Sequence, residues 1–546
     1  MKMKRLFLIG FLLLVSVVLF ACTDNSTDVS QEDGDSNEEE KTSNGDSEEL
    51  TVFASPKPNI DIEDNKFTEH VEEKLGVKFD WTIVPNQGQA QRKQLMFASG
   101  DYTNVFLHGN HAEEGLTRVE QQRYGSQGIL LPLNDLIEEH APNVQTALEE
   151  LSYLKPEITA PDGNIYALPE ISTCYHCNYS QKMWINTDWL ERVNLEIPTT
   201  TEELKVVLKA FSEKDANGNG DPSDEIPLTG STDSWHGNID GFIMNAFIYN
   251  NSEDYLFIED GNVKLAATES EWKDGLDYLN SLNSEGLIDQ GAFTQNRDAL
   301  FQLGMSNQLG VVAGGFYGDF VDRADDLARN YDTIPPLVGP DGVQLSAYYG
   351  GAGEGFFAIT NKATEEEQIK AIKLADYLYS KEGAIFAQYG PVGEGTLLEA
   401  DEGEIGINGE QADYKPNPEV SSNDIGNLGW DQLGPRYIPG GINWVAPEDQ
   451  YSLEGTELRL YNETQKYDGH EPDEVFPSGV FIPEEVSDEY NQLKTQINSY
   501  IEENMVQFIT GSKDIDGDWD SYVQGLEDIG IARYLEINQE AYDNVN

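Results

Sequence analysis

The segment Asp215-Ala216-Asn217-Gly218-Asn219-Gly220-Asp221-Pro222-Ser223-Asp224-Glu225 carries oxygen-bearing side chains at its first, third and fifth positions and a glycine at its sixth. Ca²⁺ takes about six to eight hard oxygen ligands around a flexible bend, and this spacing supplies them in the order a calcium loop needs. The end departs from an EF-hand, because the twelfth position is Ile226 instead of glutamate, and Ile226-Pro227-Leu228 reads as a strand. An ion held there would pin a helix to a strand and take no part in a reaction.

Cys174-Tyr175-His176-Cys177 invites a zinc or redox reading. A structural zinc site needs about four ligands. The chain has only three cysteines, and the third, Cys22, lies in the N-terminal leader. In an oxidising exterior the pair is then either a small-ring disulfide or two free thiols. No G-x-S-x-G, H-E-x-x-H or G-x-x-x-x-G-K-[ST] motif occurs, and Gly350-Gly351-Ala352-Gly353-Glu354-Gly355 lacks dinucleotide-binding spacing. The residues therefore read as a non-enzyme. The rival readings are a secreted glycan-degrading enzyme, built on a chance pair of carboxylates, and a binder of peptides or other non-sugar solutes.

Several aromatic residues sit in loop-like segments beside polar or glycine residues: Trp235-His236-Gly237-Asn238, Gly315-Phe316-Tyr317-Gly318-Asp319, Tyr348-Tyr349-Gly350, Gly429-Trp430-Asp431 and Asn443-Trp444. Each ring either plugs the edge of a core or offers its face to a ligand. Pyranose rings present flat C–H patches that stack on such faces, while their hydroxyls need planar polar partners.

The elements that must position these residues begin after a leader. Lys2, Lys4 and Arg5 precede an apolar run from Leu6 to Phe20, a signal-peptide pattern too short to span a bilayer. The run ends in Leu19-Phe20-Ala21-Cys22, which is similar to a bacterial lipobox, so residues 1–21 are expected to be removed and Cys22 lipidated. Residues 22–49 are Ser, Asp, Glu, Asn, Gly and Thr almost throughout, an acidic disordered tether. With 34 Lys and Arg against 99 Asp and Glu, the net charge of −65 excludes a nucleic-acid partner and fits a saline or alkaline exterior.

The folded part begins with Leu50-Thr51-Val52-Phe53. A helix follows through Phe67, Val71 and Leu75 to Gly76, then an alternating strand through Val77, Phe79, Trp81 and Ile83. Capping boxes announce helices after Thr199 or Thr200 and after Thr364, and short strands are expected at 309–313 and 355–359. Residues 487–543 show two successive helical patterns.

Together these segments resemble the extracellular solute-binding proteins of ABC importers, in particular the large lipoproteins that bind oligosaccharides, similar to alginate-oligosaccharide-binding proteins. The resemblance is carried by Leu95 to Asp101, Leu131-Pro132-Leu133-Asn134-Asp135-Leu136-Ile137, Asp162 to Pro169, Trp184-Ile185-Asn186 with Asp188-Trp189-Leu190, Pro198-Thr199-Thr200 and Gly355 to Thr360. It implies an α/β, two-lobed periplasmic-binding-protein-like fold of type II over residues 50–545, with the ligand cleft between the lobes. Lobe 1 is expected near 50–170 plus a segment near 330–400, and lobe 2 near 180–325 plus parts of the C-terminal region. The resemblance further implies a monomer anchored through Cys22 on the outer face of the cell membrane, delivering a carbohydrate to permease subunits. In the family's calcium loop an Asp-Glu pair closes the site, which implies ligands Asp215, Asn217, Asn219, Asp221, Asp224 and Glu225 for a structural Ca²⁺. Matching cleft segments imply Trp235, Phe316, Tyr317, Tyr349, Trp430 and Trp444 as stacking rings, with Asp319, Glu354 and Arg436 as hydroxyl partners. Tyr175, His176, Tyr179 and Trp184 are placed near the lobe crossing, facing the cleft.

Overall fold

The computed structural model describes residues 48–109, 115–420 and 425–545, so the signal peptide, Cys22 and nearly all of the acidic tether lie outside the described residues. Within that range Asn65 caps the helix Lys66–Leu75 by accepting from the backbone N–H of Phe67, and Gly76 ends it at φ 65°. The chain turns there into the strand Val77–Ile83, which pairs in parallel with Glu48–Ala54. That β-α-β unit seeds a five-stranded sheet in the order Val77–Ile83, Glu48–Ala54, Val105–Leu107, Gly355–Ile359, Leu168–Pro169. The last two strands join it antiparallel. Val77–Ile83 is an edge strand, which explains why Phe79 and Trp81 are only half-buried and Ile83 is exposed despite the alternating pattern.

A second sheet runs Tyr331–Thr333, Met183–Asn186, Leu309–Ala313, Ile226–Thr229. Leu309–Ala313 is buried at all five positions, as a continuous apolar run requires. Each sheet has its own core. Val52, Val71, Val105, Phe357 and Ile372 pack with the first, whereas Trp189, Leu208, Leu228 and Val311 pack with the second. The two-lobed α/β arrangement follows from these separate cores.

Tyr331–Thr333 belongs to the second sheet, and Ile334 and Leu337 enter its core. The middle segment expected in lobe 1 near 330–400 therefore reaches the first core only from about Ala352 onward. Trp430, Leu433 and Tyr437 return to that first core. The helix Thr456–Thr464 packs on the second sheet through Leu460, and the helices Glu484–Ile509, Ile515–Ile529 and Ile531–Val545 complete the second core. Among the described residues no helix is long and apolar enough to cross a membrane.

Buried Glu157 marks where the lobes meet. It lies in the helix Leu154–Ile158 and accepts from the backbone N–H of Ala352 at 2.6 Å and from the Ser478 hydroxyl at 3.4 Å, tying the first lobe to two connecting segments. Burial pushes its pKa up, and the Arg118 guanidinium opposes that shift.

Candidate functional site: a cavity between the lobes

A cavity of about 520 Å³ opens where the first crossing, residues 170–177, meets the helix Thr456–Thr464 of the second lobe and residues 388–444 of the first. The volume lies in the range of about 300–1,000 Å³ usual for small-molecule clefts. One wall is built from the short helix Tyr175–Asn178. Cys174 and Cys177 form a disulfide across it, which resolves the open alternative in favour of the bonded form. Their sulfurs and His176 are, among the described residues, the only three His, Cys, Asp or Glu ligand atoms gathered within 4.8 Å, but sulfurs joined to each other hold no metal.

The Tyr175 ring lies 5.3 Å from that of Tyr461, and its hydroxyl donates to Asp468 Oδ2 at 2.8 Å. Burial and that carboxylate push the Tyr175 pKa up, so the hydroxyl stays protonated. Behind the wall, fully buried Lys182 donates to the carbonyls of His176, at 3.0 Å, and Tyr179. Burial, reinforced by the Lys182 ammonium, brings the His176 pKa down to about 3, so the ring is neutral. Burial likewise lowers Lys182 to about 7.

The facing wall carries Trp444 and Tyr389, with ring centroids 5.9 Å apart and edges crossed, beside Ile438 and Ile442. Between the walls, Arg436 and Glu170 form an ion pair. The arrangement offers aromatic faces, amide groups from Gln388, Asn408, Gln432 and Asn443, and carboxylates from Glu170 and Glu457. It can hold a polyhydroxylated ligand by stacking and hydrogen bonding.

Of the residues expected to face the ligand, Tyr175, His176, Arg436 and Trp444 line this cavity. Three are core instead. Trp184 is fully buried, donating from Nε1 to the Gly314 carbonyl at 2.8 Å. Tyr317 lies beneath the Arg459 guanidinium, 4.1 Å from its ring, with its hydroxyl bonded to Thr456. Trp430 is fully buried in the first lobe, donating to Thr68 Oγ1 at 2.8 Å. Each indole or phenol has its polar tip satisfied internally and its faces covered by neighbouring residues.

The rest lie off the cavity wall. Trp235 is 42% exposed, and its ring stands 6.4 Å from His176, edge-on, just beyond the wall. Phe316 is half-buried against Tyr317, and the Tyr349 ring lies tilted against that of His236 with centroids 4.3 Å apart. Tyr179 is buried, its hydroxyl bonded to Asp468. Asp319 is buried and paired with Arg297 at 2.9 Å, and Glu354 accepts from the Gly115 N–H at 2.9 Å. Sequence reasoning missed Glu170, Tyr389, Asn408, Glu457 and Tyr461. Only the Glu457/Tyr461 pair carried a signal, since a spacing of four on one helix puts both on one face.

The loop 215–225 stands apart from the cavity, between the helix Thr201–Glu213 and the strand Ile226–Thr229. Gly218 and Gly220 adopt φ of 75° and 93°, which lets the chain curl. Asn217 and Asn219 each accept a backbone N–H two residues on with the side-chain oxygen, and both donate to Asp224. Asp215 accepts from the Gly220 N–H, and Asp221 accepts from Ser223. Glu225 Oε2 is shielded from solvent and has no hydrogen-bond partner. An orphaned carboxylate oxygen in a loop that also carries Asp215, Asp221, Asp224 and two amide oxygens with spare lone pairs fits a hard cation.

The fold is shared with known binding proteins. The chain is 28% identical over 509 residues to the fructooligosaccharide ABC transporter substrate-binding protein FusA of Streptococcus pneumoniae, covering 90% of this chain and 89% of that one. The FusA structure in complex with kestose superposes with a TM-score of 0.71 at 26% identity, over 91% and 99% of the two chains. An EF-hand mutant of FusA in complex with fructo-nystose gives 0.70 at 25% identity, over 91% and 99%. An extracellular solute-binding protein from Bifidobacterium longum subsp. infantis has the same fold, with a TM-score of 0.76 at 24% identity over 92% and 100%. Residues 59–385 match the profile of the bacterial extracellular solute-binding proteins, and the chain belongs to that family.

Proposed function

We propose that this protein captures an oligosaccharide in the cavity between its lobes and hands it to the permease of an ABC importer, without chemical change to the sugar. The observation that carries this reading is the cavity itself, in which Tyr175, Tyr461, Tyr389 and Trp444 stand among amides and carboxylates. Rings that expose a face while anchored at their edges suit C–H patches, and planar polar groups suit hydroxyls. Similarity to FusA, a fructooligosaccharide-binding protein, supports the same ligand class. Tyr175, His176, Arg436 and Trp444 are assigned here as ligand contacts, joined by Glu170, Tyr389, Glu457 and Tyr461.

In the same proposal Asp215, Asn217, Asn219, Asp221, Asp224 and Glu225 hold a structural Ca²⁺. When bound, the ion would neutralise the loop's carboxylates and lock the turn after the helix Thr201–Glu213. Lipidation at Cys22 tethers a monomer to the outer face of the membrane, where lobe closure presents both lobes to the permease. Titrating the full chain with an oligosaccharide panel tests the reading. Saturable binding that Tyr175→Ala and Trp444→Ala both weaken is expected, and binding that neither variant changes places the ligand elsewhere.

A further inference from the structure

The charges around the cavity separate sugars by class. We propose that the cavity admits neutral oligosaccharides and rejects uronate-bearing ones, with Glu457 as the residue that enforces the choice; this rests on the carbohydrate reading above. A uronate needs a free cation or several N–H donors to replace the water it loses. Arg436 is the only lysine or arginine among the described lining residues. Its guanidinium is already engaged, by Glu170 and by the Asp431 carbonyl at 3.3 Å, and the residue is only 6% exposed. Asp431 is itself held by Lys57 at 2.6 Å, so the local charge is balanced before any ligand arrives.

Two further candidates for positive charge beside the wall are withdrawn. His176 is neutral, and the Lys182 ammonium points away from the cavity into the carbonyls behind the wall. Glu457 lines the cavity from the helix Thr456–Thr464. It is exposed yet closely surrounded by protein, which pushes its pKa up, and the Arg323 charge opposes that shift. A sugar hydroxyl can donate to Glu457 and Glu170 in charge-assisted hydrogen bonds. A uronate carboxylate only accepts, and it meets two carboxylates while the one lining cation, Arg436, is already paired. The chain's net charge of −65 opposes the approach of a polyuronate as well.

The test is calorimetric titration of the full chain in millimolar Ca²⁺ with matched trisaccharides: kestose, maltotriose and raffinose against trigalacturonate and trimannuronate. At least one neutral sugar is expected to bind, with both uronates about 100-fold weaker or undetectable. Glu457→Gln should narrow that gap, and Glu457→Lys should improve uronate binding by about tenfold or more relative to the same neutral sugar. A uronate that binds wild type as tightly as the neutral sugars overturns the proposal and leaves the carbohydrate reading standing. An unchanged uronate-to-neutral ratio in both variants overturns the role of Glu457. Failure of every sugar in both classes overturns the carbohydrate reading, and the proposal with it. Circular dichroism spectra of the variants matching wild type exclude misfolding as the cause.

Discussion

Glu170 and Arg436 form a salt bridge across the cavity wall with side chains only 11% and 8% exposed. Glu170 follows the strand Leu168–Pro169 of the first sheet, and the Arg436 carbonyl accepts from the N–H of Ile171, so the pair and the backbone bond fix the first crossing to the 430–438 segment. Removing one partner of a buried pair leaves an uncompensated charge, at a cost of about 3–5 kcal/mol. Arg436→Met should therefore lower the denaturant midpoint sharply, whereas Glu170→Gln combined with Arg436→Met should recover most of the loss. A double variant as unstable as the single one would mean that packing, not charge, holds the crossing.

The rings sort into two groups with opposite expectations. Trp444→Ala and Tyr175→Ala should weaken ligand binding by about 1–3 kcal/mol with little change in melting temperature. Trp430→Ala should instead destabilise the first lobe by about 3–5 kcal/mol and leave the intrinsic affinity of folded protein unchanged. Paired thermal melts and titrations on the three variants separate these outcomes.

Much of this architecture was legible from residue spacing. The capping box at Thr364 and Glu367 forms as expected, Thr200 caps the helix Thr201–Glu213 through the Glu203 N–H, and Gly355–Ile359 is a strand. The C-terminal pattern was read less well. The second of two expected helical runs is two helices, because Gly530 at φ 118° breaks it between Ile529 and Ile531. The ring assignments were legible only in part, since a glycine-flanked tryptophan reads the same whether the turn throws it inward or outward. At Trp430 the close passage of Gly429 against the backbone of Phe386 and Ala387 sends the indole into the core. That contact joins residues more than forty apart and leaves no local trace.

Calcium removal should soften one lobe without unfolding the chain. Ligand linkage is worth about 2.7 kcal/mol at a hundred times the dissociation constant, so EGTA should lower the melting temperature measurably. Asp215→Ala should melt like the chelated wild type and be insensitive to EGTA. Identical melting curves with and without chelator, and no ion by elemental analysis, would reduce the loop to a turn.

Asp240 supplies a pH dependence with a definite sign. It is 3% exposed, with Asn238 Nδ2 within hydrogen-bonding distance at 3.2 Å, and burial raises its pKa from 3.8 to about 6. The folded state thus holds the proton more tightly than the unfolded chain. The stability this confers is fully present below pH 3.8 and is lost as pH rises through 6. Asp254, also raised to about 6 by burial, acts in the same direction. Asp240→Asn should remove its share of this slope and gain about 3 kcal/mol relative to wild type at pH 7. Urea titrations at pH 4, 6 and 7 check it, and parallel wild-type and variant profiles would contradict it.

The central claim is that the inter-lobe cavity binds an oligosaccharide, and Trp444 on its wall supplies a reporter. Tryptophan fluorescence of the full chain, titrated with neutral oligosaccharides of two to five units, should change saturably for at least one of them. In Trp444→Phe the spectral change should fall away while calorimetry still detects binding. A flat fluorescence and calorimetric response across the whole series, together with saturable binding of a peptide, would contradict the account.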